Sequence, residues 1–186
     1  EIVGVNDLVP ADNLAYLLNH DTVHGRFGQP AEAHADGTGF TCSGDHTACS
    51  AVRDPEDIPW KNLDADYVLE ATGFFTAGDD ARKHIAAGAK RVLISAPTKT
   101  PDDVKTFVYG VNSCDYDPAR DDVLSNASCT TNCLAPITKV VLDEFGIELE
   151  AKNPFYKAME FLEGQAEFKN FKPTVLISVE DKRLLT

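Results

Sequence analysis

The chain has 186 residues, 43% of them hydrophobic, which suits one domain with a real core, or one domain plus an appendage. A net charge of -13 argues against binding nucleic acid or an anionic membrane by bulk electrostatics, because both demand a basic face. No window approaches the roughly 18 apolar residues of a membrane span, and five cysteines without framework spacing fit a reduced, cytoplasmic setting better than a secreted disulfide scaffold.

In chain order, IVGVNDL reads as a short apolar strand ending in Asn6-Asp7, and NLAYLLNHDTVHG as a helix from Asn13 behind an Asp12 cap. His20 and His24 lie four apart on that helix and share a face; capping, pairing with Asp21 or exposure to solvent explains them better than ligation. Residues 26–50 are rich in Gly, His, Ala and Asp with little periodicity, which means loop or weak antiparallel strands. ADYVLEATG is an apolar strand closing on Gly73, DDARKHIAAGA has helical composition, and KRVLISAPT is a strand running into a Pro-containing loop. VKTFVYGVN reads as another strand, followed by a tight DYDPARD turn and a strand-to-helix junction at VLSNASC. In LAPITKVVLDEFG the apolar residues Leu134, Ile137, Val140, Val141, Leu142 and Phe145 have helical spacing. Beyond it, FYKAMEFLEGQAEFKNF is amphipathic at helical spacing and TVLISVE reads as a strand. Strand alternating with helix is the signature of an α/β domain with a mainly parallel sheet.

SNASCTTNC, residues 125 to 133, carries the chemistry. It places Cys129 at the N-terminus of a helix, where unpaired backbone N–H groups and the positive end of the dipole favour negative charge on sulfur, the requirement for a nucleophile. Cys133, one turn on, reads as a buried small hydrophobe. The CxxxC pair supplies two ligands where structural zinc takes four, and neither His84 nor Cys114 completes a set, so no metal site is expected.

In a parallel sheet ligands bind beyond the carboxyl ends of the strands. Those ends hold Asn6-Asp7, Ala71-Thr72-Gly73, Ser95-Ala96-Pro97 and Ser125 through Cys129, all small, polar or hydrogen-bonding. Asp7 occupies the position of an acidic residue that meets a dinucleotide's ribose, although turn-capping is the commoner role of a strand-end Asp.

SNASCTTNCLAP, with VNDL, DTVHGRF, RDPEDIPW, EATGFFT, HIAAGAKRVLISAPTK and YGVN in that order, resembles the cofactor-binding domain of the glyceraldehyde-3-phosphate dehydrogenase family over about residues 1 to 148. The resemblance implies a Rossmann-like, doubly wound sheet, and an NAD-dependent enzyme that oxidises an aldehyde through a cysteine thiohemiacetal and a thioester released to phosphate. Matched residue by residue, Cys129 is the nucleophile, and Ser128 and Thr130 bind phosphate. Asn6 and Asp7 meet the adenosine ribose, Arg53 lies by the adenine, and Thr72, Gly73, Phe75 and Ser95 line the nicotinamide half. Asp7 is expected to favour NAD over NADP by repelling a 2′-phosphate. The implied partners are glyceraldehyde 3-phosphate, inorganic phosphate and further copies of the chain, as a tetramer, in the cytoplasm.

The chain also departs from that pattern. The family's first strand and glycine-rich phosphate loop have no counterpart here, so residues 1–148 are expected to form an incomplete domain in which the neighbours of that central strand have an unpaired edge. Residues 149–186 form an unmatched helix-strand tail whose strand at 174–180 is a candidate to fill the slot. None of the five histidines can be assigned the family's general-base role. Two classes of function follow: an oxidoreductase that draws the missing parts from elsewhere, or a non-catalytic or chimeric derivative of the domain that acts by binding.

Overall fold

The computed structural model describes residues 1–145; the helix and strand expected at 155–180 lie outside them. The chain divides into two compact units, Glu1–Ile94 and the residues from Ser95 onward.

The first unit opens with strand β1 (Gly4–Asn6) and helix α1 (Ala11–Asn19). Helix α1 starts two residues before the expected Asn13, with Pro10 at the cap position, and Asp12 sits inside its first turn. A proline there sacrifices no intrahelical bond, and its fixed φ leads the chain into the helix. Ala11 and Ala15 are buried, and Ala15 packs with Ala31 and Phe40 beneath Val5 and Leu14.

The helix ends at Asn19 rather than running on through His24. The Asn19 carboxamide turns back to bond both the N–H and the C=O of Ala31, at 2.7 and 2.8 Å. His20 and His24 therefore share no helical face: His20 begins β2 (His20–Asp21), which pairs antiparallel with β3 (Gly25–Arg26), and the backbone of His24 is capped by Asp21. Residues 26–50 take the antiparallel alternative, through β4 (Glu32–Ala33), β5 (Gly39–Cys42) and β6 (Asp45–Ser50). Strand β6 pairs parallel with β1, Gly4 opposite Ala48 and Asn6 opposite Ser50.

Two 3₁₀ turns, Pro55–Asp57 and Trp60–Leu63, lead to β7 (Tyr67–Glu70), helix α2 (Gly78–Ala86) and β8 (Arg91–Ile94), and β7 pairs parallel with β8. Strand β7 alternates exposed and buried, so Val68 and Glu70 face inward while Tyr67 and Leu69 face out. Among the described residues β1 pairs only with β6, and β7 lies at the end of its sheet beside β8. Both are edge strands of their sheets among the described residues.

In the second unit β9 (Lys105–Thr106) pairs parallel with β10 (Val123–Ser125), and helix α3 spans Cys129–Phe145. The strand expected over VKTFVYGVN stops at Thr106. Past it the Asn112 side chain accepts from the Val108 N–H and donates to the Thr106 carbonyl, so those backbone groups close a loop instead of extending a ladder. The DYDPARD turn is closed as expected, by Asp117 N–H bonding Asp121 and by the Arg120–Asp117 pair. Parallel pairs separated by helices make the described residues an α/β, Rossmann-like fold.

Helix α2 ends in a Schellman motif, with Gly88 N–H on Ile85 O and Ala89 N–H on His84 O. Gly88 is left-handed at φ +112°, and a Cβ there would lie 2.5 to 2.8 Å from the Cβ, Cα and N of Lys61. Gly88→Ala is expected to cost about 2 kcal/mol through strain and displaced backbone. Gly28→Ala, whose Cβ meets nothing within 4 Å, is expected to leave stability within about 0.5 kcal/mol of wild type. Urea unfolding of the two variants against wild type measures both.

Candidate active site

The residues expected to carry function fall in two groups, one per unit. In the first unit, Asn6 ends β1, and its side chain is a brace. Oδ1 accepts from the Val52 N–H and from Ser50 Oγ, and Nδ2 donates to the Val52 carbonyl, each at 2.9 Å. The brace fixes the carboxyl ends of β1 and β6 together and sets exposed Arg53 directly after it. Asp7 follows on the surface. One of its carboxylate oxygens accepts from the Val9 N–H at 3.1 Å, the turn-capping role common for a strand-end Asp.

At the end of β7, Thr72 and Gly73 are exposed and Phe75 is half-buried. Gly73 has φ +77°, with no heavy atom within 4 Å of where its Cβ would be, so the turn presents open backbone to whatever lies above it.

Beneath that turn lies a set of buried polar groups. Trp60 Nε1–H donates to His84 Nδ1 at 3.0 Å, and His84 Nε2 meets Glu70 Oε2 at 2.9 Å. An indole nitrogen only donates, so His84 Nδ1 must accept and its ring proton sits on Nε2, directed at the carboxylate. The other oxygen, Oε1, accepts from both the backbone N–H and the hydroxyl of Thr72, the former at 2.8 Å. The side chains of His84 and Glu70 are 4% and 2% exposed. Burial alone pushes the Glu70 carboxyl up, but the hydrogen bonds from His84 and Thr72 outweigh it and hold the group below the usual carboxylate range.

Sequence reasoning passed over this set, treating His84 only as an incomplete zinc ligand. The usable signal is the period-two alternation of β7, which puts Glu70 on the same inward face as Val68. A carboxylate on that face must have partners.

In the second unit, Ser95 is exposed just after β8. Ser125, at the end of β10, is fully buried, and its hydroxyl donates to Ala96 O and accepts from Ala127 N–H. Ala127 is left-handed at φ 57°, a conformation a non-glycine residue adopts only when its surroundings impose it. Besides Ser125, Asn132 imposes it, by donating from Nδ2 to the carbonyls of Asn126 and Ser128. Ser128 Oγ accepts from Thr131 N–H at 3.0 Å and so caps α3. Cys129, exposed, is the first residue of that helix, as the sequence predicts. Thr130 is exposed beside it, its hydroxyl 2.9 Å from Ser128 Oγ. Cys133 is exposed and not the buried hydrophobe expected.

His84, with both ring nitrogens engaged and 3% exposed, has no lone pair for a substrate. The other four histidines lie in the first unit, and His34 is stacked on His46 with its Nε2 on Thr41.

Residues 1–78 match the family described as glyceraldehyde 3-phosphate dehydrogenase, NAD binding domain. Among curated proteins, glyceraldehyde-3-phosphate dehydrogenase 1 of Trichormus variabilis is 56% identical over 147 residues, 79% of this chain and 42% of its own length. The glyceraldehyde-3-phosphate dehydrogenases of Bacteroides fragilis and Geobacillus stearothermophilus are 51% and 50% identical over 147 residues, again 79% of this chain and 42% and 43% of theirs. The chain thus spans about two fifths of the length of these relatives.

The depressed Glu70 carboxyl links stability to pH. A group whose folded pKa lies below its unfolded value of about 4.3 contributes stability above that value and loses it as pH falls through the folded pKa. Glu70→Gln is expected to cost about 2 kcal/mol at neutral pH, because one of its amide faces meets donors with a donor. The same variant should lose less stability than wild type between about pH 5 and pH 3. Denaturation midpoints across that range give the comparison.

Proposed function

Taking the chain as a relative of the glyceraldehyde-3-phosphate dehydrogenases that carries their NAD-binding domain, we propose cysteine chemistry on an aldehyde with a nicotinamide dinucleotide as cofactor. One observation carries this reading. Cys129 is exposed at the first residue of α3, on a turn whose left-handed Ala127 is held by Ser125 and Asn132 and whose helix is capped by Ser128. Such a turn fixes the sulfur where helix-end N–H groups stabilise anions, and leaves it open to an incoming carbonyl carbon.

The strand-end residues fit the cofactor. Asp7 supplies a carboxylate for ribose hydroxyls, with a preference for NAD over NADP, and Asn6 and Arg53 stand beside it at the adenosine end. Open backbone at Gly73, flanked by Thr72 and Phe75, suits close approach of the nicotinamide half, with Ser95 as a further lining residue. NAD, when bound, supplies a hydride acceptor. The chain's own part is covalent. Cys129 Sγ adds to the aldehyde carbon, and the resulting C–S bond holds the carbon through its oxidation to a thioester. Attack by phosphate oxygen then breaks that bond and returns the thiolate. Ser128 and Thr130 offer hydroxyls to the phosphate.

The aldehyde this reading assigns is glyceraldehyde 3-phosphate, the one in the relatives' names. All five cysteines are free, in keeping with a reducing, cytoplasmic setting. The exposed apolar side chains of Tyr16, Leu17, Val23 and Phe27 are in keeping with a homo-oligomer, for which the family suggests a tetramer. No helix among the described residues is long and apolar enough to cross a membrane. Turnover by residues 1–186 alone should be slow, because acid–base catalysis contributes roughly 10²–10⁴-fold and no histidine is assigned to it.

Cys114, Cys129 and Cys133 are all exposed, so accessibility alone predicts equal labelling of the three. The proposal predicts that iodoacetamide at neutral pH alkylates Cys129 first, read by peptide mass spectrometry over time. Equal rates at the exposed cysteines would remove the nucleophile assignment.

A further inference from the structure

The buried carboxylate set ends, on one side, at a donor-only indole and, on the other, at an exposed turn. Each link has a defined direction: Trp60 donates to His84, His84 to Glu70, and Glu70 accepts both groups of Thr72. The Thr72 hydroxyl, having given its proton to Glu70, accepts from Phe74 N–H at 3.1 Å. The backbone on both sides of Gly73 is therefore tied to one buried ion. Phe75, next along, meets the His84 ring edge-on at 6.4 Å between centroids. Four residues of a surface turn, 72 to 75, thus take their placement from a side chain on α2 and an indole on the preceding 3₁₀ turn.

Nothing about holding the fold requires the network to reach the surface. A carboxylate satisfied by His84 and a single backbone N–H would need no Thr hydroxyl. The second Thr72 bond constrains the turn's side chain as well as its backbone, as a site that must be preorganised requires.

We propose that Trp60, His84 and Glu70 form a positioning relay that sets the 72–75 turn for the nicotinamide half of the cofactor, with His84 held in its Nε2–H tautomer by Trp60 as the central link. The proposal rests on the NAD reading above. His84 and Trp60 touch no ligand in this account; they act through Glu70 and Thr72. Removing the indole N–H frees His84 Nδ1 to take the proton, which leaves a lone pair on Nε2 facing an anion. The ring must then shift, and the carboxylate loses one of its donors.

The test uses the full chain with Trp60→Phe, which keeps an aromatic ring and removes only the donor, and with His84→Gln as a second variant. Two readouts are taken: amide hydrogen exchange along β7 and its turn, and calorimetric affinity for NAD and for ADP-ribose, which lacks the nicotinamide ring. Trp60→Phe is expected to speed exchange at the Thr72 and Phe74 amides about tenfold while the β7 amides bonded to β8 keep their protection, and to weaken NAD about tenfold with ADP-ribose nearly unchanged. Unchanged exchange at Thr72 and Phe74 in both variants overturns the relay, even if NAD binds. A uniform rise across β7, with equal loss of both ligands, also overturns it, because it reports a merely structural role. Wild-type protein that binds neither ligand defeats the cofactor reading instead, and the exchange pattern alone then decides the relay.

Discussion

An ionised carboxylate buried at the last residue of a parallel strand has to be met by donors from several directions, and Glu70 recruits them from three parts of the first unit. His84 comes from α2, the indole of Trp60 stands behind it on a 3₁₀ turn, and Thr72 closes from the chain's own continuation. Removing one partner of a buried ion costs far more than an exposed pair gains. The relative placement of α2, the Trp60 turn and the end of β7 therefore hangs on this one group. The Schellman turn at Gly88 adds a second tie, where Lys61 N–H bonds Ala87 O and the glycine lies flat against the Lys61 backbone.

The same construction recurs wherever the chain offers functional groups. Strands β1, β7 and β10 each end in a polar side chain that is spent on bracing, and residues that follow are left on the surface. Asn6 braces and leaves Asp7 outside; Glu70 braces and leaves Thr72 and Gly73; Ser125 braces and leaves Cys129 two residues after the left-handed Ala127. Buried polar groups of this kind cost stability unless fully satisfied, and when satisfied they fix geometry that apolar packing leaves loose.

Much of this was legible in the sequence. The strand–helix alternation was, since β1, β7, β8 and β10 fall within their expected stretches, and α2, read from its helical composition, and α3, read from its apolar spacing, lie where expected. The helix start at Cys129 was legible too, because Ser128 is a good cap and the apolar spacing after it is regular. What failed were boundaries set by side-chain bonds to the backbone. Asn19 ends α1 by bonding Ala31, and Asn112 ends β9 by bonding Val108 and Thr106, and neither amide is marked out by local propensity. The polar interior was missed for a related reason: Glu70, His84 and Trp60 are far apart in sequence, and only the fold brings them together.

The central claim is the proposal that the carboxyl ends of the first unit's strands bind a nicotinamide dinucleotide and that Cys129 is the nucleophile that works with it. Residue-resolved NMR of the wild-type chain titrated with NAD tests it most directly. The account predicts saturable shifts at the amides of Asn6, Asp7, Thr72, Gly73, Ser95 and Cys129, with β4 and the β2–β3 hairpin unperturbed. No saturable shifts, or shifts confined to residues away from the strand ends, would contradict it.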